Sequence, residues 1–376
     1  MNKCLVTKLN GTVNNDSIVR IGEARVVFTK TDAPSKTSQG LTLVTTKDVK
    51  LEIVGDGYFT DENLTENKGK TMTANAGSTT LYVSNSNVEL AILDKYNIKG
   101  IRVPVSNKQL GCQVDIDFFK YSSNVTALYL NNSNSKGDLS SVEHLTSLAE
   151  LNFTNTQVTG DIANLKNMSV LKYLYLSNSN IKGDLSSLKK LTSLTSFEAQ
   201  NTNIGGNISN LTALTNLTLL NLLDTQVNGV ISTLKGLTAL NLLRIGNKDI
   251  PITGDIGSLS SLNSLSDITI QYGSLSGDVA TLPANCKRLS LSYDKGSLFT
   301  WSTRLSSSKI IAFSDPTSID NVDKMLQDQA QCQVGFSSSD SIYYKTIAIK
   351  GTRTSASDAA VQALQSKGYT VSITPA

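Results

Sequence analysis

Between Leu171 and Leu194 the apolar positions fall at Leu171, Leu174, Leu176, Ile181, Leu185, Leu188, Leu191 and Leu194, with mostly polar residues between them. Leu174 and Leu176 flank Tyr175, the period-two alternation of a short strand. Leu185, Leu188, Leu191 and Leu194 come three apart, which predicts a tight helical or extended return. The same pattern recurs along the chain. Gly137, Gly160, Gly183, Gly206 and Gly229 stand 23 residues apart, and after a two-residue insertion Gly254 and Gly277 resume the step. Such a period predicts a solenoid: one repeat cannot bury its leucines alone, but stacked neighbours can. Each buried Leu contributes about 1.5–3 kcal/mol, so several per turn make a substantial core.

Outside the repeat the pattern changes. Residues 1–118 lack the period and read as strands broken by polar turns. Ile18–Thr29, Leu41–Thr45, Val49–Val54, Thr79–Val83 and Ile98–Val103 are the strand candidates, with turns at Gly55-Asp56-Gly57 and Asn75-Ala76-Gly77. Together they predict a small β-sandwich or barrel-like module. Beyond residue 300 strands alternate with helices. Ile310–Phe313, Thr346–Ile349 and Tyr369–Ile373 are β-prone. Thr317–Gln331 reads as a helix capped by Thr317 or Ser318, and Ser355–Lys367 as one capped by Ser355, with Asp358 three residues later and Gly368 at its stop. Right-handed crossovers make these strands parallel, so they extend the solenoid sheet and cap its open end.

The repeat pattern LxxLxLxxxNIxGDLSxLxxLxxL resembles leucine-rich repeat proteins, over about Val125 to Leu291, and its Gly-Asp-Leu element resembles the plant-type variant with a second short strand. On that resemblance Asn180 holds the ladder position, Gln157 and Gln226 interrupt the ladder, and an insertion at Lys248–Ile252 bulges from the coil. The chain is thus read as multidomain. An all-β anchoring domain spans 1–118, a leucine-rich repeat solenoid with a parallel β-sheet spans 119–300, and C-terminal α/β repeats and cap span 301–376. The tail GTRTSASDAAVQALQSKGYTVSI and the start KCLVTKLNGTVNNDSIVRIGE also resemble leucine-rich repeat proteins of Bacteroides-group gut bacteria and of their crAss-like phages.

Charge narrows the functions. With 34 basic and 31 acidic residues the net charge is only +3, and no basic run interleaved with aromatics appears, which argues against nucleic-acid binding. The apolar run Cys4–Val6 is too short for a signal-peptide core, and no stretch approaches a membrane span, so neither export by the common route nor a membrane is expected. Cys4, Cys112, Cys286 and Cys332 form no CxxC pair and read as unpaired or packed thiols. Asn-x-Ser/Thr triplets such as those at Asn152, Asn207, Asn210 and Asn216 follow from composition.

Catalytic chemistry finds little support. The single histidine, His144, sits on a return path and reads as structural. Gly69-Lys70-Thr71 lacks the earlier glycine of a phosphate loop, and Gly273–Gly277 carries Leu275 where a nucleophile would stand. Asp56, Asp61, Glu62 and Glu66 read as a solvated acidic loop, with calcium as the alternative. Asp138, Asp161, Asp184, Asp255 and Asp278 recur beside the repeat glycines in a column spaced about 4.8 Å, interrupted at Asn207 and Val230. Their expected role is to bind turn N–H groups, with a cation ridge as the alternative. No catalytic residue, cofactor or metal site is expected.

The outward strand positions offer the best binding surface. Tyr129, Asn152, Tyr175, Glu198, Asn221, Arg244 and Thr269, with Tyr173, Gln200 and Gln271 beside them, should line the concave sheet. Stacking, hydrogen-bonding and planar groups there suit a protein or a host-surface glycan. The leading reading is a non-enzymatic phage virion component, a head fibre or decoration protein assembled in host cytoplasm. Its N-terminal domain would hold other virion or surface proteins; a homo-oligomer such as a trimer would suit a fibre, but no coiled-coil heptad supports it. The alternative is a bacterial surface adhesin or an intracellular scaffold. A polysaccharide-degrading fibre ranks third.

Overall fold

The computed structural model describes residues 24–30, 41–45, 49–54, 59–60, 71–74, 76–83, 88–92, 98–102, 110–122, 124–247, 249–292, 297–304, 308–332 and 345–375. The chain divides into two compact units, Met1–Thr159 and Gly160–Ala376.

In the first unit one antiparallel sheet orders the strands Thr71–Ala74, Val49–Val54, Val88–Ile92, Ala24–Lys30 and Leu110–Val114. A second antiparallel set runs Ile98–Arg102, Leu41–Thr45, Gly77–Val83 and Phe59–Thr60. Ile98–Arg102 also pairs in parallel with Ala127–Tyr129, which pairs with Glu150–Asn152. Strands on either side of residue 118, where the sequence pattern changes, are therefore hydrogen-bonded in one sheet. The antiparallel strands satisfy an edge that the first repeat would otherwise expose. Phe59–Thr60, Thr71–Ala74, Val88–Ile92 and Leu110–Val114 go beyond the sequence reading, and the Ile18–Thr29 candidate begins at Ala24 among the described residues. The turn Gly55-Asp56-Gly57, Asn75, the acidic residues Asp61, Glu62 and Glu66, Gly69-Lys70 and Cys4 lie outside the described residues.

The second unit is a coil. Tyr173–Tyr175, Ser196–Glu198, Leu219–Leu222, Leu242–Gly246, Asp267–Gln271, Arg288–Ser292, Ala312–Ser318, Thr346–Lys350 and Thr370–Thr374 pair in parallel, each with the next. The register stacks Leu174, Phe197, Leu220, Leu243, Ile268, Leu289, Phe313 and Ile347 into one inward column, every one fully buried. A second parallel ladder runs through Asn180–Asp184, Asn203–Asn207, Gln226–Val230, Ile252–Asp255, Ser274–Asp278 and Leu298–Thr300. Tight 3₁₀ turns such as Leu185–Leu188 and Ile208–Leu211 then close the coils of the repeat. Among the described residues no helix is long and apolar enough to cross a membrane.

Three features of the turns correct or sharpen the sequence reading. Asn180 is exposed, and the buried ladder residue is Ser179, whose hydroxyl donates to the Leu176 carbonyl at 2.6 Å. Thr202 and Thr225 repeat this contact in the second unit, and Ser133 and Thr156 in the first. The ladder is therefore built of hydroxyls, one residue earlier than expected, and Gln157 and Gln226 lie outside it. The residue before each hydroxyl is left-handed: Asn178 has φ 55° and Asn201 φ 56°, and the Asn201 side-chain amide donates to Asn178 Oδ1 at 2.9 Å. Asn and Asp tolerate that conformation. The Asp column performs its expected capping, for Asp161, Asp184, Asp255 and Asp278 accept the N–H two residues on at 2.7–2.9 Å. Asn207 caps in the same way, while Val230 makes no side-chain cap. Gly206, at φ 101°, lies against the Asp184 carboxylate, so a Cβ would both strain the backbone and collide.

At the insertion Asn247 is buried, donates to the Val227 carbonyl at 2.9 Å, and accepts from Asp249 N–H, while Asp249 and Ile250 turn out to solvent. Lys248 lies outside the described residues. The C-terminal helices are shorter than the sequence suggests. The first is Val322–Gln331, capped by Asn321, because Thr317 and Ser318 end the strand Ala312–Ser318. The second is Asp358–Ser366, preceded by a 3₁₀ turn whose cap is Thr354 rather than Ser355. Trp301 Nε1 donates to Asp328 Oδ2 at 3.0 Å, and the buried Arg304 guanidinium donates to the carbonyls of Ala280, Leu282 and Pro283. Cys286 and Cys332 are buried, reduced thiols, and burial pushes the Cys286 thiol up to about 12.

Candidate binding face

Alternate residues of a strand point to opposite faces, so the neighbours of each inward residue face outward. Register aligns these outward residues in rows. One row of the second unit reads Tyr173, Ser196, Leu219, Leu242, Asp267 and Arg288; the next reads Tyr175, Glu198, Asn221, Arg244, Thr269 and Ser290. Gln271 follows in a third, beside Gly246 and Ser292. In the first unit Tyr129 and Asn152 are register partners, both half-buried, and Asn152 Oδ1 accepts the Thr154 N–H at 3.1 Å.

The Tyr173 and Tyr175 rings stack at 6.3 Å between centroids, with 19° between planes, and Tyr173 is 38% exposed. Glu198 is the register partner of Tyr175 on one side and of Asn221 on the other. Burial pushes its carboxyl above the ordinary carboxylate range, opposed by hydrogen bonding from Asn221 and by the charge of Arg244. The Asn221 amide donates to Gln200 Oε1 at 3.3 Å, and its own oxygen accepts from Leu223 N–H. Asn221 and Thr269 are 5% and 7% exposed, so they brace the face more than they present it.

Beyond Arg244 lies an ion cluster that the sequence reading missed. Asp267, 2% exposed, accepts from Arg288 Nη1 at 3.2 and 3.4 Å, and the same nitrogen donates to Thr269 Oγ1 at 3.0 Å. Arg244 Nε stands 4.0 Å from Asp267. One buried carboxylate thus faces two guanidiniums, and Arg244, its side chain 36% exposed, carries positive charge to the surface. Among the described residues Arg244 Nε and Gln271 Oε1 are buried without a hydrogen-bond partner. Leu219, Leu242 and Asp267 stand two residues before Asn221, Arg244 and Thr269, so the spacing alone could have marked them as outward; Arg288 is placed there by its register with Asp267.

The face therefore has an acceptor end, at Glu198 and Gln200 beside the stacked tyrosines, and a donor end at Arg244. Leu219 and Leu242, register partners and half-buried, lie between. It offers stacking, apolar contact and oriented charge. Elsewhere, exposed His144 lies 2.6 Å from the Ser122 carbonyl through Nε2, a contact to its own fold. Among the described residues no group of three or more His, Cys, Asp or Glu is placed to hold a metal ion.

No protein-family model and no curated protein matches the chain. Solved structures do. An internalin C2 from Listeria monocytogenes is 26% identical, over 49% of this chain and 75% of its own, with a TM-score of 0.39. A second Listeria monocytogenes internalin, InlF, is 19% identical over 74% and 82%, with a TM-score of 0.43. A plant peptide hormone receptor, RGFR1, solved in complex with RGF2, is 17% identical with a TM-score of 0.46; the match covers 62% of this chain but only 38% of the receptor. In its own geometry, a 23-residue period wound into a parallel sheet with a second short ladder and hydroxyl-braced turns, the chain has the fold of a leucine-rich repeat solenoid.

Proposed function

We propose that this chain works by binding a protein or peptide partner on the outward face of its parallel sheet, between Tyr173 and Arg288. The carrying observation is that the face is already ordered: Asn221 holds Gln200, and Asp267 holds Arg288. Groups fixed before contact lose less freedom on binding. Aromatic and Arg groups beside half-buried Leu219 and Leu242 are the composition of a protein-binding patch, and the leucine pair favours a protein over a glycan.

For its setting we propose a bacterial surface or scaffold role, with the N-terminal strands as the attachment module. A virion head fibre or decoration protein is the second reading, supported by the sequence resemblance of the two chain ends. Quantifying peptides from Tyr129–Leu194 in purified virions and in bacterial envelope fractions separates the two settings.

A photo-crosslinking residue at Tyr173, compared with one at the exposed Lys190 on the return turns, tests the binding face. Cross-links to one host protein from position 173, and none from 190, are expected. Cross-links from 190 alone would move binding off this sheet.

A further inference from the structure

We propose that Tyr173, Tyr175, Glu198 and Gln200 form a subsite for a basic side chain, lysine or arginine, of the partner. The inference rests on the sheet face being the binding surface and adds the chemistry that one part of it selects.

Glu198 is the central group. Its strand places the carboxylate between Tyr175 and Asn221, half-buried. The nearest cation along its row, Arg244, is two strands away and lies 4.0 Å from Asp267. Among the described residues Glu198 itself has no ion pair. Its burial is therefore compensated only by the Asn221 amide and the distant charge of Arg244, and its carboxyl sits above the ordinary range. A cation brought by a partner would supply the missing compensation, since a buried charge is costly until paired.

The surroundings favour the same occupant. Gln200 Oε1 is held by Asn221 at 3.3 Å and presents a second acceptor. The Tyr173 and Tyr175 rings, stacked 6.3 Å apart, offer π-faces that attract ammonium and guanidinium groups. An acidic side chain here would meet Glu198 at like charge. An apolar one would cover the carboxylate and leave it unpaired.

A random heptapeptide display library selected on the immobilised full-length chain tests this. Enriched peptides should share a Lys or Arg, and synthetic copies should bind Glu198→Gln and Tyr175→Ala at least tenfold more weakly than the parent. Replacing that Lys or Arg by norleucine should cost tenfold on the parent and little further on Glu198→Gln. Glu198→Gln keeps the shape of the side chain, and circular dichroism checks that each variant folds. Enriched peptides that lack a basic residue, yet weaken on Arg244→Ala, would overturn the subsite and leave the binding face standing. No enrichment, or peptides indifferent to Glu198→Gln, Tyr175→Ala and Arg244→Ala alike, would overturn both.

Discussion

Thr225 is 1% exposed and its hydroxyl donates to the Leu222 carbonyl at 2.8 Å, which closes one coil. Removing only that hydroxyl isolates its role. Thr225→Val should destabilise the second unit by about 1–3 kcal/mol, the cost of leaving a buried acceptor unmade, and chemical denaturation measures it. This contact was half legible in the sequence. The segment Asn178-Ser179-Asn180 offers an amide on either side of the hydroxyl, and a resemblance to Asn ladders points to Asn180. The backbone decides otherwise. Asn178 turns left-handed at φ 55°, so the next side chain, Ser179, points inward to the Leu176 carbonyl and Asn180 begins the exposed short strand. The Asp residues were easier to read because a cap bonds within two residues of itself, a local geometry that spacing reveals.

At the scale of elements, the C-terminal helix Val322–Gln331 is locked by Asp328. Burial is the largest single influence on that carboxyl and pushes it up. Hydrogen bonds from Lys324, Trp301 and the Arg304 N–H together outweigh it and hold the group below its ordinary 3.8. A carboxyl depressed in the folded state adds stability that is complete above the unfolded pKa and is lost as pH falls through the folded one. The helix should therefore loosen on acidification below pH 3.8, read by fluorescence of Trp301, the one tryptophan of the chain. Asp328→Asn should be less stable at neutral pH and lose less over the same acid interval. Helix existence was legible from apolar periodicity, but not the start. Thr317 and Ser318 look like caps, yet Thr317 pairs with Ile349 in the sheet, and strand pairing outweighs a local capping preference.

At the scale of the molecule, the second unit is a stack in which each coil rests on its neighbours. Phe197, fully buried in the inward column, contacts the coils of Leu174 and Leu220 through the sheet register. Phe197→Ala should cost about 3–5 kcal/mol. In a stack of nearest-neighbour interfaces the loss is local, so hydrogen exchange should rise most in Tyr173–Tyr175 and Leu219–Leu222 and least in Thr346–Lys350. An equal rise throughout would show that the unit opens as one block. The coil, its parallel sheet and its leucine core could be read from spacing alone, because each follows from a local period and from the need to bury apolar side chains. The outward tyrosines, Glu198 and Arg244 were legible for the same reason. The pairing of Asp267 with Arg288 was not: they meet only when strands 21 residues apart in sequence are set side by side. Nor could spacing show that Asp267 draws Arg288 and Arg244 to one end while, among the described residues, Glu198 has no ion pair at the other. That charge separation depends on distances between side chains of different coils, which only the packed register supplies.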